Sequence, residues 1–143
     1  MTIRPRAVKA LRNVRERMRD AAAATHVVAA AARDTSRAAL NEQHERMTAF
    51  LDDAPEVLAA ARTIHELDQV AETTGVHRIA IADANARHVD AVAVTEQTAG
   101  KLRERTRQLR TAERLVERVD DSAAKLAARD EQRGNDDLAA RRR

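Results

Sequence analysis

The chain has 143 residues, of which 26 are Lys or Arg, 23 are Asp or Glu and none is Cys. Phe50 is the one aromatic residue, and Ala makes up much of the 43% hydrophobic content. This composition excludes a thick globular core, because burial of apolar area contributes only about 25 cal/mol per Å². The lack of Cys excludes disulfides and thiolate metal sites and fits a reducing cytoplasm.

Charge is distributed unevenly along the chain. Residues 1–19 contain seven basic residues and one acidic residue, whereas residues 20–100 contain six basic and thirteen acidic residues. Residues 101–143 are basic again, with thirteen basic and nine acidic residues. If the chain folds back on itself, the two basic ends lie together and the acidic middle forms the far end.

The first predicted element is a long helix over about residues 5–52. Pro5 suits a first helical turn, because a backbone N–H at this position would have no acceptor within the helix. Apolar residues then recur at alternating steps of three and four, the heptad pattern of a coiled coil. The pattern contains Leu11, Val14, Met18, Ala21, Thr25, Val28, Ala32, Thr35 and Ala39. It then slips by one residue and continues with Leu40, Gln43, Met47 and Phe50.

A break is predicted next, where Asp53 is suited to cap a helix that has Pro55 in its first turn. This second helix is short, about residues 54–73, and Gly75 is expected to end it in a left-handed conformation. Its apolar positions are Val57, Ala61, Ile64, Leu67 and Ala71.

A second long helix is predicted over about residues 77–133. Its apolar pattern is weak at first, with Ile79, Ile81, Val89 and Val92, and then sharpens. The sharper part contains Leu102, Leu109, Ala112, Val116, Val119, Ala123 and Leu126. Gly134 and Asn135 are expected to end the helix and leave residues 134–143 as a frayed basic tail.

These elements predict an all-α fold, a long antiparallel two-helix coiled-coil hairpin with a short helix near the turn, forming a single domain over residues 1–143. Each long helix has to bury its apolar positions, which a hairpin achieves within one chain. A parallel dimer achieves the same burial and stays an alternative. The turn signals between Asp52 and Gly75 favour the hairpin.

The sequence predicts no catalytic, cofactor or metal site, and therefore no enzyme. His65-Glu66 resembles the start of an HExxH zinc motif, but residue 69 is Gln. His77 and His88 are three helical turns apart, whereas zinc needs three or four converging ligands. Phosphate-binding loops and GxSxG motifs are missing. No apolar run is long enough to predict a membrane span, and we expect no signal peptide.

The basic ends allow three interpretations. They neutralise nucleic-acid phosphates, bind an acidic protein partner, or simply keep a coiled coil solvated. No aromatic side chain is available in these segments to stack on bases, which argues against nucleic acid.

The order of several motifs resembles the FliJ family of flagellar export proteins and its injectisome relatives of the YscO type. The motifs lie at residues 7–17 (AVKALRNVRER), 112–118 (AERLVER) and 130–139 (DEQRGNDDLA). The resemblance implies a stalk protein, an antiparallel coiled coil that serves a type III export apparatus. It places the protein in the cytoplasm at the inner face of the inner membrane, reached only through its partners. The partners it implies are the hexameric export ATPase, the cytoplasmic domain of the export gate, and export chaperones; nucleic acid is not expected.

The resemblance also implies site residues. The paired termini would bind the ATPase through Arg6, Lys9, Arg12, Arg15, Arg107, Arg110, Arg114 and Arg118. The gate-binding patterns of flagellar members are similar to the spacing of Gln43, Met47, Phe50, Ile81, Ala84 and His88. Ala54 and His77 depart from those patterns. A general coiled-coil adaptor, including a nucleic-acid-associated one, stays the alternative function.

Overall fold

The computed structural model describes the backbone of residues 5–141 and the side chains of residues 5–136. It contains two helices, α1 (Pro5–Ala60) and α2 (Ile64–Arg141), joined by a turn at residues 61–63. The described residues form two compact units. The terminal unit contains those of Met1–Ala23 and Lys101–Arg143, and the middle unit is Ala24–Gly100. The single domain expected over residues 1–143 stays a prediction.

The two helices run antiparallel within each unit. In the terminal unit, the ammonium group of Lys9 lies 3.2 Å from the carboxylate of Asp120. Further along α1, Arg15 donates a hydrogen bond to Gln108 at 2.6 Å. In the middle unit, His26 contacts Thr98 and Ser36 contacts His88, so residue numbers rise along α1 as they fall along α2. The predicted all-α antiparallel hairpin is therefore confirmed.

The predicted short helix over residues 54–73 is wrong as a separate element. Helix α1 continues through Pro55 to Ala60, and residues 64–73 form the start of α2. An internal Pro removes one backbone hydrogen bond and crowds the preceding turn. Residues 56–60 are mostly strong helix formers, and Ala54 is buried, so packing and propensity together extend α1 past the proline.

A capping box fixes the turn. The hydroxyl of Thr63 accepts a hydrogen bond from the backbone N–H of Glu66 at 3.3 Å. The carboxylate of Glu66 accepts in return from the N–H groups of Thr63, at 3.1 Å, and Arg62, at 2.6 Å. Thr-x-x-Glu is the sequence signature of a helix start, and these bonds satisfy N–H groups that have no partner within the helix.

The two predicted glycine endings are also wrong. Gly75 lies inside α2, and no glycine among the described residues has a positive φ. The hydroxyls of Thr73 and Thr74 bond to the carbonyls four residues earlier, both at 2.8 Å, as they do within a helix. At the other end α2 continues past Gly134 to Arg141. One glycine costs only about 1 kcal/mol against Ala, too little to stop a helix rich in Ala, Arg and Leu. The last residues of the predicted basic tail, 142–143, lie outside the described residues.

Each helix presents one regular row of buried or half-buried residues to the other, which we call the seam. On α1 the seam contains Val8, Arg12, Arg15, Arg19, Ala22, His26, Ala29, Arg33, Ser36, Leu40, Gln43, Met47, Phe50 and Ala54. On α2 it contains Val70, Thr74, His77, Ile81, Ala84, His88, Ala91, Thr95, Thr98, Leu102, Arg105, Leu109, Ala112, Val116 and Val119. Both rows keep steps of three and four without interruption, as a coiled-coil heptad does.

The predicted α1 pattern is therefore one residue out of register from Leu11 to Ala39, and the slip predicted before Leu40 does not occur. Val28 is 69% exposed, whereas its neighbour Ala29 is 8% exposed. A slip of phase requires an irregularity in a coiled coil, and α1 avoids one by keeping the register of Leu40 to Phe50 along its whole length.

The seam contains Ala and Ser as well as His and Arg. Its small residues allow the two helices to pack closely. The hydroxyl of Thr95 lies 2.8 Å from the backbone carbonyl of Ala91 on its own helix and 3.1 Å from that of Ala29 across the helix pair, so its one proton is shared in a bifurcated hydrogen bond. Such a bond requires the two backbones to approach closely, which Ala at this position allows. The Arg side chains at other seam positions are half-buried: Arg15 bonds to Gln108 on the opposite helix, and the buried Nε of Arg19 lies 2.8 Å from the carboxylate of Asp20.

The cap makes part of the stability dependent on pH. The backbone N–H groups of Arg62 and then Thr63 lower the pKa of Glu66 from its ordinary value of 4.5. A carboxyl group whose pKa is lower in the folded chain than in the unfolded chain stabilises the fold at pH values above its unfolded-state pKa. This contribution is lost as the pH falls through the folded-state pKa. We expect wild type to unfold at higher temperature than Glu66→Gln at pH 7, with the difference shrinking as the pH falls below 4.5. Circular dichroism melts measure this, and Glu72→Gln, two turns along α2, is the control.

Candidate functional site

Four predicted ATPase-binding residues form one continuous stripe on α2. Arg107, Arg110, Arg114 and Arg118 follow each other at helical spacing, and all four are exposed. They lie between the seam positions Arg105, Leu109, Ala112 and Val119, so they occupy the face of α2 that points away from α1. We call them the arginine stripe. None of the four makes an ion pair with another described side chain.

The four predicted ATPase-binding residues on α1 divide into two pairs. Arg6 and Lys9 are exposed, and Lys9 is paired with Asp120. Arg12 and Arg15 instead lie half-buried in the seam. Arg12 bonds to Asn13, and Arg15 bonds to Gln108 on the opposite helix. The structure thus brings all eight residues into the terminal unit, but two of them have a packing role there.

The terminal and middle units carry opposite charge. By sequence, residues 1–23 and 101–143 together carry twenty basic and eleven acidic residues, and residues 24–100 carry six basic and twelve acidic residues. Like charges within a unit create a field that attracts partners of the opposite charge and speeds their association.

The predicted gate-binding residues also come together, but on the seam of the middle unit. We call Gln43, Met47, Phe50, Ile81, Ala84 and His88 the gate patch. Ala84 is buried and the other five are half-buried. Gln43 and Ala84 line an open groove of about 290 Å³, which gives solvent access to this part of the seam.

Two contacts fix side chains at the edges of the gate patch. The hydroxyl of Ser36 donates to the carbonyl of Arg33 at 2.7 Å and lies 3.1 Å from Nδ1 of His88. Because the hydroxyl proton is used, Nδ1 of His88 is best satisfied as the donor to Ser36, which leaves Nε2 as the other polar atom of the ring. The ring of Phe50 lies 5.2 Å from that of His77 in a tilted arrangement. His77 therefore supplies an aromatic contact even though it departs from the family pattern.

Sequence reasoning missed a second groove, near the turn. It has a volume of about 420 Å³ and lies between the end of α1 and the start of α2. Phe50, Val57 and Val70 are among its lining residues, with Glu66 and Gln69. We call it the end groove. The Thr63–Glu66 capping signature would have located the turn, and so the groove.

The described residues contain neither a metal-ligand cluster nor a membrane-spanning segment. No group of three or more His, Cys, Asp or Glu side chains among them is arranged to hold a metal ion. In the described part of the chain, neither helix has a segment apolar enough over its length to cross a bilayer. The surfaces of the described residues present exposed charge and apolar grooves.

The architecture defines the class of protein, an antiparallel coiled coil of two helices that presents charged and grooved faces. A protein-family model described as "Flagellar FliJ protein" matches residues 6–143, so this chain belongs to the FliJ family. The family predicted from the sequence motifs is thereby confirmed. No curated protein and no solved structure gives a match.

Proposed function

We propose that this protein is the stalk component of a flagellar type III export apparatus and acts without catalysing a reaction. In this proposal the terminal unit binds the hexameric export ATPase, and the gate patch of the middle unit binds the cytoplasmic domain of the export gate. The protein then works in the cytoplasm, at the inner face of the membrane, where its partners hold it. Export chaperones are further partners.

The observation that carries the proposal is the division of opposite charge between two units of one hairpin. A protein that links two binding partners needs two surfaces that attract different molecules. The basic terminal unit presents the arginine stripe outward, and the acidic middle unit carries apolar, partly open surface. Membership of the FliJ family supports the assignment to flagellar export.

The gate patch is proposed to act through the open edge of the seam. Met47, Phe50 and Ile81 are half-buried, so part of each side chain is available to a partner. Aromatic side chains in partly enclosed positions often dominate binding energy at interfaces, which makes Phe50 the residue expected to matter most.

Replacing Phe50 by Ala tests the assignment. We expect the affinity for the gate domain to fall by about tenfold or more, because an aromatic anchor is lost. Stimulation of the ATPase should stay at the wild-type level, because the arginine stripe is unchanged. Calorimetric titration with the gate domain and a phosphate-release assay with the ATPase measure the two effects.

Leu51→Ala is the matched control, since Leu51 is the next residue, is 50% exposed and lies outside the gate patch. It should leave both activities unchanged. A Phe50→Ala protein that is folded by circular dichroism yet loses both activities, or neither, would contradict the proposal. Tight, steeply salt-dependent binding to DNA without any effect on the ATPase would favour a nucleic-acid-associated adaptor instead.

A further inference from the structure

The end groove combines an apolar interior with an open mouth. Val57 belongs to the last turn of α1 and is 49% exposed, although its position continues the spacing of the seam. Leu67, in the first turns of α2, is 46% exposed. The seam therefore stays incompletely closed near the turn, and the cavity of about 420 Å³ lies beside it. That volume is within the size range of binding pockets in proteins.

The segment that forms the groove is acidic. Between Arg46 and Arg78 the chain carries six acidic residues and one basic residue, Arg62. The acidic residues are Asp52, Asp53, Glu56, Glu66, Asp68 and Glu72, and all are exposed. Glu66 lines the groove itself, where two backbone N–H groups hold its carboxylate in place. Those bonds lower its pKa, so it stays ionised at neutral pH.

We propose that the end groove binds an amphipathic α-helix of another protein, one with a ridge of large apolar side chains flanked by Lys or Arg. The apolar ridge fits an open groove between two helices, the usual mode of helix recognition. Basic flanks fit the carboxylate of Glu66 in the groove and the excess of exposed carboxylates in the same segment, an argument from charge complementarity. The end groove shares only Phe50 with the gate patch, so this site goes beyond the proposed function and does not depend on it.

A peptide titration of the full chain tests the proposal. The probe is an 18-residue peptide of Leu and Lys, with Leu at steps of three and four, and its control has Glu in place of every Lys. We expect one-to-one binding of the Lys peptide and at least tenfold weaker binding of the Glu peptide. Fluorescence anisotropy of the labelled peptide measures both.

Val57→Asp separates groove binding from general charge attraction. This substitution adds negative charge, which strengthens binding of a basic peptide if charge alone is responsible. If the groove is the site, binding weakens by at least tenfold because the apolar contact is lost. Val89→Asp is the matched control, since Val89 is 56% exposed in the same unit and does not line the groove. It should change affinity by less than twofold.

Gln69→Lys gives a second test that does not alter packing, because Gln69 is exposed at the groove. A positive charge there should weaken binding of the Lys peptide several-fold. The proposal is overturned if Val57→Asp and Val89→Asp have equal effects, or if Gln69→Lys has none. It is also overturned if sedimentation finds a dimer that Val57→Asp dissociates, since a second copy then occupies the groove. Binding of the ATPase and the gate domain is measured separately, so failure here leaves the proposed function untouched.

Discussion

Replacing Leu109 by Ala should lower the free energy of unfolding by about 2–3 kcal/mol, the lower part of the range for truncating a buried leucine. Leu109 is 8% exposed and lies in the seam of the terminal unit beside Ala112, which is 2% exposed. A seam only two helices thick has few other large side chains, so the lost contacts are not replaced. Chemical denaturation followed by circular dichroism measures the change.

Leu126→Ala is the control for this prediction. Leu126 is in the same helix and fits the same apolar pattern in the sequence, but it is 59% exposed. Its replacement should change the free energy of unfolding by less than about 0.5 kcal/mol, as surface substitutions usually do. Equal losses of unfolding free energy at the two positions would contradict the structure, because they would mean that Leu126 is packed as tightly as Leu109.

The comparison of these two leucines also indicates how far the apolar pattern predicts the fold. Leu102, Leu109 and Val116 were predicted to face α1, and they do. Leu126 follows the same pattern, but every described side chain after Asp120 is exposed. Lys9 pairs with Asp120, and α1 begins at Pro5, so the described part of α1 extends only about one turn further along α2. The apolar pattern of one helix gives no information on where the partner helix ends.

The register error on α1 has a different physical cause. Hydrophobicity favoured Val14 and Val28 over Arg15 and Ala29, yet the latter pair is in the seam. Close backbone approach at Ala29, and the long stem of Arg15, stabilise the observed register. Neither effect is visible in a scale that ranks residues by hydrophobicity alone. Only the continuity with Leu40 to Phe50 pointed to the correct phase.

The sequence contains the capping signal that locates the turn, but a stronger helix-breaking signal nearby predicted a different position. Proline and two aspartates at residues 52–55 indicated a helix break, whereas Thr63 and Glu66 carry the actual cap. The candidate sites were less affected by this error. Family spacing selected Gln43, Phe50, Ala84 and His88, which all lie on the seam of the middle unit, although it gave no information on their burial; their role in binding stays a prediction.

Reversing two charges of the arginine stripe should have the largest effect on function. We expect Arg107→Glu combined with Arg114→Glu to weaken binding to the export ATPase by at least about tenfold at roughly 0.1 M salt, because attraction to an acidic partner becomes repulsion. Both residues are exposed on the face of α2 away from the seam, so the fold should tolerate the change. Surface charges interact weakly at high ionic strength, and the difference from wild type should narrow at 0.5 M salt.

Arg37→Glu combined with Arg78→Glu is the matched control, since it makes the same change in net charge on exposed residues of the middle unit. If only the net charge of the protein steers association, both double variants lose affinity equally. If the arginine stripe is the binding surface, the control keeps near wild-type affinity for the ATPase and the stripe variant alone fails to stimulate it. Binding of the gate domain should be unchanged by the stripe variant, because the gate patch lies in the other unit. That separation of effects follows from a hairpin whose two units carry opposite charge.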